Sequence, residues 1–112
     1  MTQYDDVRLS DVQVQAIHED LQGQLMWRAS RLDELRALAE SVENGDGSLQ
    51  GVLADLAATE RSITEIHLCL ERLSDRSYGR CAGCGEAIPF ERLKIRPLTR
   101  HCMPCRRLHE AR

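Results

Sequence analysis

Apolar residues recur along the first two thirds of the chain in steps of three and four. Leu21, Leu25, Leu32, Leu35, Ala39 and Val42 follow this rhythm, with Arg28 standing at one of its positions. The period of about 3.5 is that of a helix whose apolar stripe faces a partner helix. Upstream, Ser10 and Gln13 have capping-box spacing, so the first helix is expected to start at Ser10. After Val42 the rhythm stops at Asn44-Gly45-Asp46-Gly47-Ser48, a stretch suited to a helix stop, a reversal and a new N-cap at Ser48. It resumes with Leu49, Val52, Leu56, Thr59, Ile63, Ile66, Leu70 and Leu73, in which only Thr59 is polar. Two helices, about 10–43 and 48–76, joined by a tip at 44–48, predict an antiparallel coiled-coil hairpin.

The periodicity ends near Ser77-Tyr78-Gly79, where Gly79 is the expected helix stop. Beyond it the pattern belongs to a small head, residues 77–112. Pro89 and Pro97 bracket FERLKIR, whose Leu93 and Ile95 are expected to pack. Pro104 suits the first turn of a C-terminal helix. Met26 and Trp27 lie off the seam and read either as packing for the N-terminal tail or the head, or as an exposed contact patch. The fold class is therefore mainly α: a hairpin over 1–76 and a compact head over 77–112.

Length changes this picture in one respect. A chain of 112 residues with four aromatic side chains cannot build a thick core, so the head needs a staple. Charge changes it in another. Residues 1–75 hold six Arg against fifteen Asp and Glu, a net of −9; residues 76–112 hold nine Lys and Arg against three Glu, a net of +6. An acidic arm on a basic head argues against a protein that coats nucleic acid, which presents one large basic surface. No apolar run reaches the eighteen residues of a membrane span, and the polar, acidic N-terminus is no secretory signal. A cytoplasmic protein is expected, in which paired cysteines are metal ligands or redox groups rather than disulfides.

Four of the five cysteines form two Cys-x-x-Cys pairs, Cys81/Cys84 and Cys102/Cys105, with seventeen residues between them. Each pair can reach one metal ion from a single tight turn, and Gly83 and Gly85 leave amides free to approach the sulfurs. The spacing is that of a closed four-thiolate site, so one structural Zn²⁺ per chain is the expected cofactor. A catalytic zinc would keep an open position, and a thioredoxin-like site would need a βαβ context, which is not seen. His101 reads as a surface residue, and Cys69 as a half-buried helix side chain. No nucleophile, base and orienter stand together, so the chain reads as a non-enzyme.

YGRCAGCGEAIPFERLKIRPLTRHCMPC resembles the DksA/TraR family, also called DnaK suppressor proteins. The shared residues are Tyr78-Gly79, the two cysteine pairs, Gly85, Ile88, Arg92-Leu93 and Arg96-Pro97. The resemblance implies a bacterial transcription regulator that binds RNA polymerase rather than DNA. Its hairpin would enter the secondary channel and change open-complex lifetime. It also implies basic residues that contact the alarmone ppGpp or the polymerase, here Arg96 and Arg106. The helix position of that set appears as Glu65, a charge reversal that predicts weak ppGpp dependence. Longer members carry Asp-x-x-Asp-x-Ala at the tip; this chain has VENGDGSLQ, so Asp46, with Glu43 nearby, is the candidate tip acid. A monomer is expected. The alternatives are a zinc module whose basic head touches nucleic acid, and a coiled-coil adaptor.

Overall fold

The computed structural model describes residues 9–42 and 47–110, so the tip candidates Glu43 and Asp46 lie outside the described residues. Two long helices dominate: α1 (Asp11–Ser41) and α2 (Gly47–Asp75). Two short ones belong to the head: α3 (Phe90–Ile95) and α4 (Met103–Glu110). The chain is elongated, with principal extents of 64 × 34 × 20 Å.

The capping box forms: Ser10 Oγ accepts from the Gln13 amide at 3.1 Å, and Gln13 Oε1 accepts from the Ser10 amide at 3.0 Å. It satisfies two backbone donors that the first turn of α1 leaves without helical partners. The seam is real at every described position. Leu21, Leu35, Ile66 and Leu73 are buried, and Leu25, Leu32, Ala39, Val42, Leu49, Val52, Leu56, Ile63 and Leu70 are half-buried. Thr59 is tolerated there because its hydroxyl donates to the Asp55 carbonyl at 2.8 Å, within its own helix. Arg28 is half-buried, with its guanidinium 5.5 Å from the Trp27 ring centroid and its Nε buried without a hydrogen-bond partner.

Four details differ from expectation. The second helix begins at Gly47, so Ser48 sits inside its first turn instead of capping it. It ends before Gly79: Arg76 takes the left-handed conformation at φ 69°, and the Ser77 and Tyr78 amides both donate to the Arg72 carbonyl. That is a Schellman-type stop. Asp75 makes it workable without glycine, because its Oδ1 accepts from the Ser77 amide and hydroxyl at 3.0 and 2.7 Å. Those two bonds hold the Asp75 carboxyl below the usual range. Ile95 is 76% exposed, since α3 is a single-sided helix that points Leu93 inward and Ile95 out. Cys69 is fully buried, not half-buried, because the head closes over it. Met26 and Trp27 are 73% and 64% exposed, so they do not pack into the head.

The largest core lies where the hairpin meets the head. Ile17, Leu21, Ile66, Cys69 and Leu73 from the rod pack with Tyr78, Cys81, Ile88 and Leu93 from the head. Tyr78 donates its hydroxyl to the Pro97 carbonyl at 2.6 Å inside this core. Burial pushes the phenol well above its usual range, so it stays a donor. Burial also pushes the Cys69 thiol up, against the opposing pull of Arg72, whose Nη2 lies 3.3 Å from the sulfur. Cys69 is thus a neutral core side chain, not a nucleophile.

Candidate metal centre

The first cysteine pair sits on a tight loop closed by backbone bonds. The Cys81 amide donates to the Glu86 carbonyl at 2.8 Å, the Gly85 amide to the Cys81 carbonyl at 2.9 Å, and the Ile88 amide to the Gly79 carbonyl at 2.7 Å. Gly85 has φ 78°, which a side chain rarely tolerates. Gly83 is required for a different reason. A Cβ there would lie 3.1 Å from Cys105 Sγ, and its amide donates to Cys81 Sγ at 3.3 Å. The second pair straddles the start of α4, where the Arg106 amide donates to the Cys102 carbonyl at 2.9 Å. The Ala82 amide donates to the Arg100 carbonyl at 2.7 Å and joins the two loops.

These loops bring the Sγ atoms of Cys81, Cys84, Cys102 and Cys105 within 4.8 Å of one another. Cys84 and Cys102 are 3.7 Å apart. A tetrahedron with metal–sulfur bonds of about 2.3 Å has sulfur–sulfur edges of about 3.8 Å, so the set fits one Zn²⁺. The electrostatics agree. Backbone amides of Cys102, Cys84 and Gly83 hold the Cys81 thiol down to about 5. Cys105 is pushed up to about 12, chiefly by the neighbouring sulfurs of Cys81 and Cys102. Four thiols this close share protons unless a cation replaces them, and a bound zinc takes that place. His101 is half-buried and sits against the Gly83 loop, yet it is not among the clustered ligand atoms.

Residues 76–111 match the prokaryotic dksA/traR C4-type zinc finger. The backbone as a whole superimposes on the transcription factor DksA2 from Pseudomonas aeruginosa with a TM-score of 0.79. The two are 26% identical, and the match covers 91% of this chain and 86% of that one. Residues 76–111 are thus a zinc finger of the dksA/traR type, carried on a backbone like that of DksA2. The match extends through the hairpin, where the sequence motifs do not reach. An uncharacterized protein of Aquifex aeolicus (strain VF5) is 43% identical over 44 residues, 39% of this chain, and the chain covers 30% of that relative's length. Zinc is the cofactor of this C4-type family, and the four-sulfur cluster suits it.

Arg96 and Arg106, ten positions apart, line one groove of about 340 Å³ between head and rod, together with Gln24, Ile95, Pro97, Leu98 and Thr99. Glu65 is exposed on α2. Two structural roles were missed in the sequence. Tyr78 is the buried donor to Pro97, a pairing hidden because the partner is a carbonyl nineteen residues away. Arg92 grips the segment that carries Cys102, although only its place in a shared motif drew notice.

Proposed function

We propose that this protein is a cytoplasmic transcription regulator that binds RNA polymerase, with its hairpin entering the secondary channel and its zinc head resting at the rim. The observation that carries this reading is the likeness to the transcription factor DksA2 across both hairpin and head. Physics supports it. A rod two helices wide is slim, since each helix with its side chains is about 10 Å across. An arm with a net charge of −9 over residues 1–75 is drawn to a basic, magnesium-containing channel. Cys81, Cys84, Cys102 and Cys105 hold one structural zinc in this reading, which fixes the direction in which the head aims the rod. Asp46, with Glu43, acts at the tip. Arg96 and Arg106 contact the polymerase or ppGpp, while Glu65 keeps the ppGpp effect small. The protein works without catalysing a reaction and without reading DNA sequence.

The test is retention of purified RNA polymerase by the immobilised protein, with and without nuclease, alongside open-complex lifetime. Nuclease-resistant retention and a changed lifetime are expected. Retention that requires DNA would select the nucleic-acid module instead. Asp46→Asn is expected to leave competition binding intact and blunt the lifetime effect; equal activity would make the hairpin a passive plug.

A further inference from the structure

Arg92 is half-buried on α3 and takes no part in the ion pairs Arg31–Glu34, Arg36–Glu60 and Lys94–Glu91. Its guanidinium is spent on the irregular segment that leads into Cys102. Nε donates to the His101 carbonyl at 3.3 Å, and Nη2 to Thr99 Oγ1 at 3.5 Å. Nη1 lies 2.7 Å from Met103 Sδ. Thr99 Oγ1 in turn donates to the His101 carbonyl at 3.2 Å. Three partners flanking Cys102, at positions 99, 101 and 103, are thus held by one planar fork. A lysine could not span them from a single ammonium.

The fork is itself fixed. The Arg92 and Leu93 amides both donate to the Pro89 carbonyl, and the Leu93 side chain is fully buried in the core shared with the rod. α3 also packs on α1. The Cys102 segment is tied elsewhere through its backbone: the Arg100 carbonyl accepts from Ala82, the Cys102 carbonyl accepts from Arg106, and the Thr99 amide donates to the Arg96 carbonyl. Losing Arg92 removes the guanidinium that ties the His101 carbonyl, the Thr99 hydroxyl and Met103 to α3.

We infer that Arg92 is the positioning residue of the metal centre, clamping the Cys102 segment from α3 and so setting how long the zinc stays bound. This rests on the four cysteines being the zinc ligands. Outer-shell partners of this kind change metal affinity about 10–100-fold when lost.

The experiment uses the full chain loaded with zinc under reducing conditions. Zinc is counted first, and its transfer to excess chromogenic chelator at neutral pH is then timed. Arg92→Gln should release zinc about ten-fold faster or more. Arg92→Lys should not rescue, since it keeps charge but not the fork. Lys94→Gln removes the same charge from an exposed site on the same helix and should stay within about two-fold of the parent. Helical circular dichroism on urea titration should report an unchanged hairpin in all three. A parent-like rate for Arg92→Gln, or equal acceleration by Lys94→Gln, overturns the clamp. If Arg92→Gln fails to fold, Thr99→Val decides: an intermediate acceleration supports the clamp and a parent-like rate overturns it. A parent protein that holds no zinc overturns both the ligand assignment and the clamp; one equivalent with unchanged rates overturns the clamp alone.

Discussion

The base of the hairpin and its distal half use the same seam but bury different amounts of it. Near the head, Ile17, Leu21, Ile66, Cys69 and Leu73 are buried and continue into Tyr78, Ile88 and Leu93. Toward the tip, among the described residues, Leu35 alone is buried, and its neighbours on both helices are half-exposed. Two helices in contact cannot shield an apolar stripe on all sides; a third layer is needed, and only the head supplies one. The base is therefore a three-part core closed by the metal centre, whereas the distal half relies on pairwise packing and helix propensity. Under the proposed insertion, the first would hold direction and the second would keep the rod thin.

The comparison breaks most severely if the metal goes. Structural zinc contributes on the order of 10 kcal/mol at neutral pH. Cys81→Ser, or strong chelation, should lower zinc to well below one equivalent and unfold the head. Most of the helical circular dichroism should remain, because the seam beyond the base does not depend on the head. Complete loss of helix would show instead that the whole rod is templated by the head.

Truncation of the seam sharpens the contrast next. Leu21 is fully buried at the base and Leu32 half-buried farther out. Leu21→Ala should cost about 2–5 kcal/mol. Leu32→Ala should cost less, about 1 kcal/mol, since water already reaches much of that side chain. Urea midpoints of the zinc-loaded protein measure both, and equal losses would refute a graded rod.

Tyr78→Phe comes third. It leaves the Pro97 carbonyl with only the weak Cys69 thiol donor at 3.8 Å, at about 1–3 kcal/mol. The same group sets a pH dependence. The phenol's folded pKa is raised above its unfolded value, about 10, so the folded state holds the proton more tightly. Its contribution is full below pH 10 and declines as pH rises above it. Tyr78→Phe should flatten that alkaline fall, as followed by thermal unfolding between pH 8 and 11.

The smallest effect is expected from Arg36→Ala, which removes the 3.4 Å bridge to Glu60 across the distal seam. Both partners are about half exposed. The cost should be below about 1 kcal/mol and should shrink in high salt. A larger loss would mean that charge, not the seam, holds the distal half.

Much of this was legible in the order of residues because it is local or periodic. The 3.5-residue stripe, the Ser10–Gln13 box and the two Cys-x-x-Cys turns each depend on neighbours within a few positions, so they can be read without knowing the fold. The four thiols were an expected set because tetrahedral zinc chemistry restricts the spacing. What packing alone decided involves partners distant in sequence or placed by backbone geometry. Cys69 became core, not half-exposed, because Pro97 of the head covers it. Ile95 turned outward because one helical face of α3 was already committed to Leu93. Arg76, not Gly79, ended α2 because Asp75 could bond the following turn and offset the left-handed strain. The grip of Arg92 on residues 99–103 likewise exists only once α3 is seated against α1, since a side chain's partners across a fold are fixed by where the elements dock and not by the rhythm of the chain.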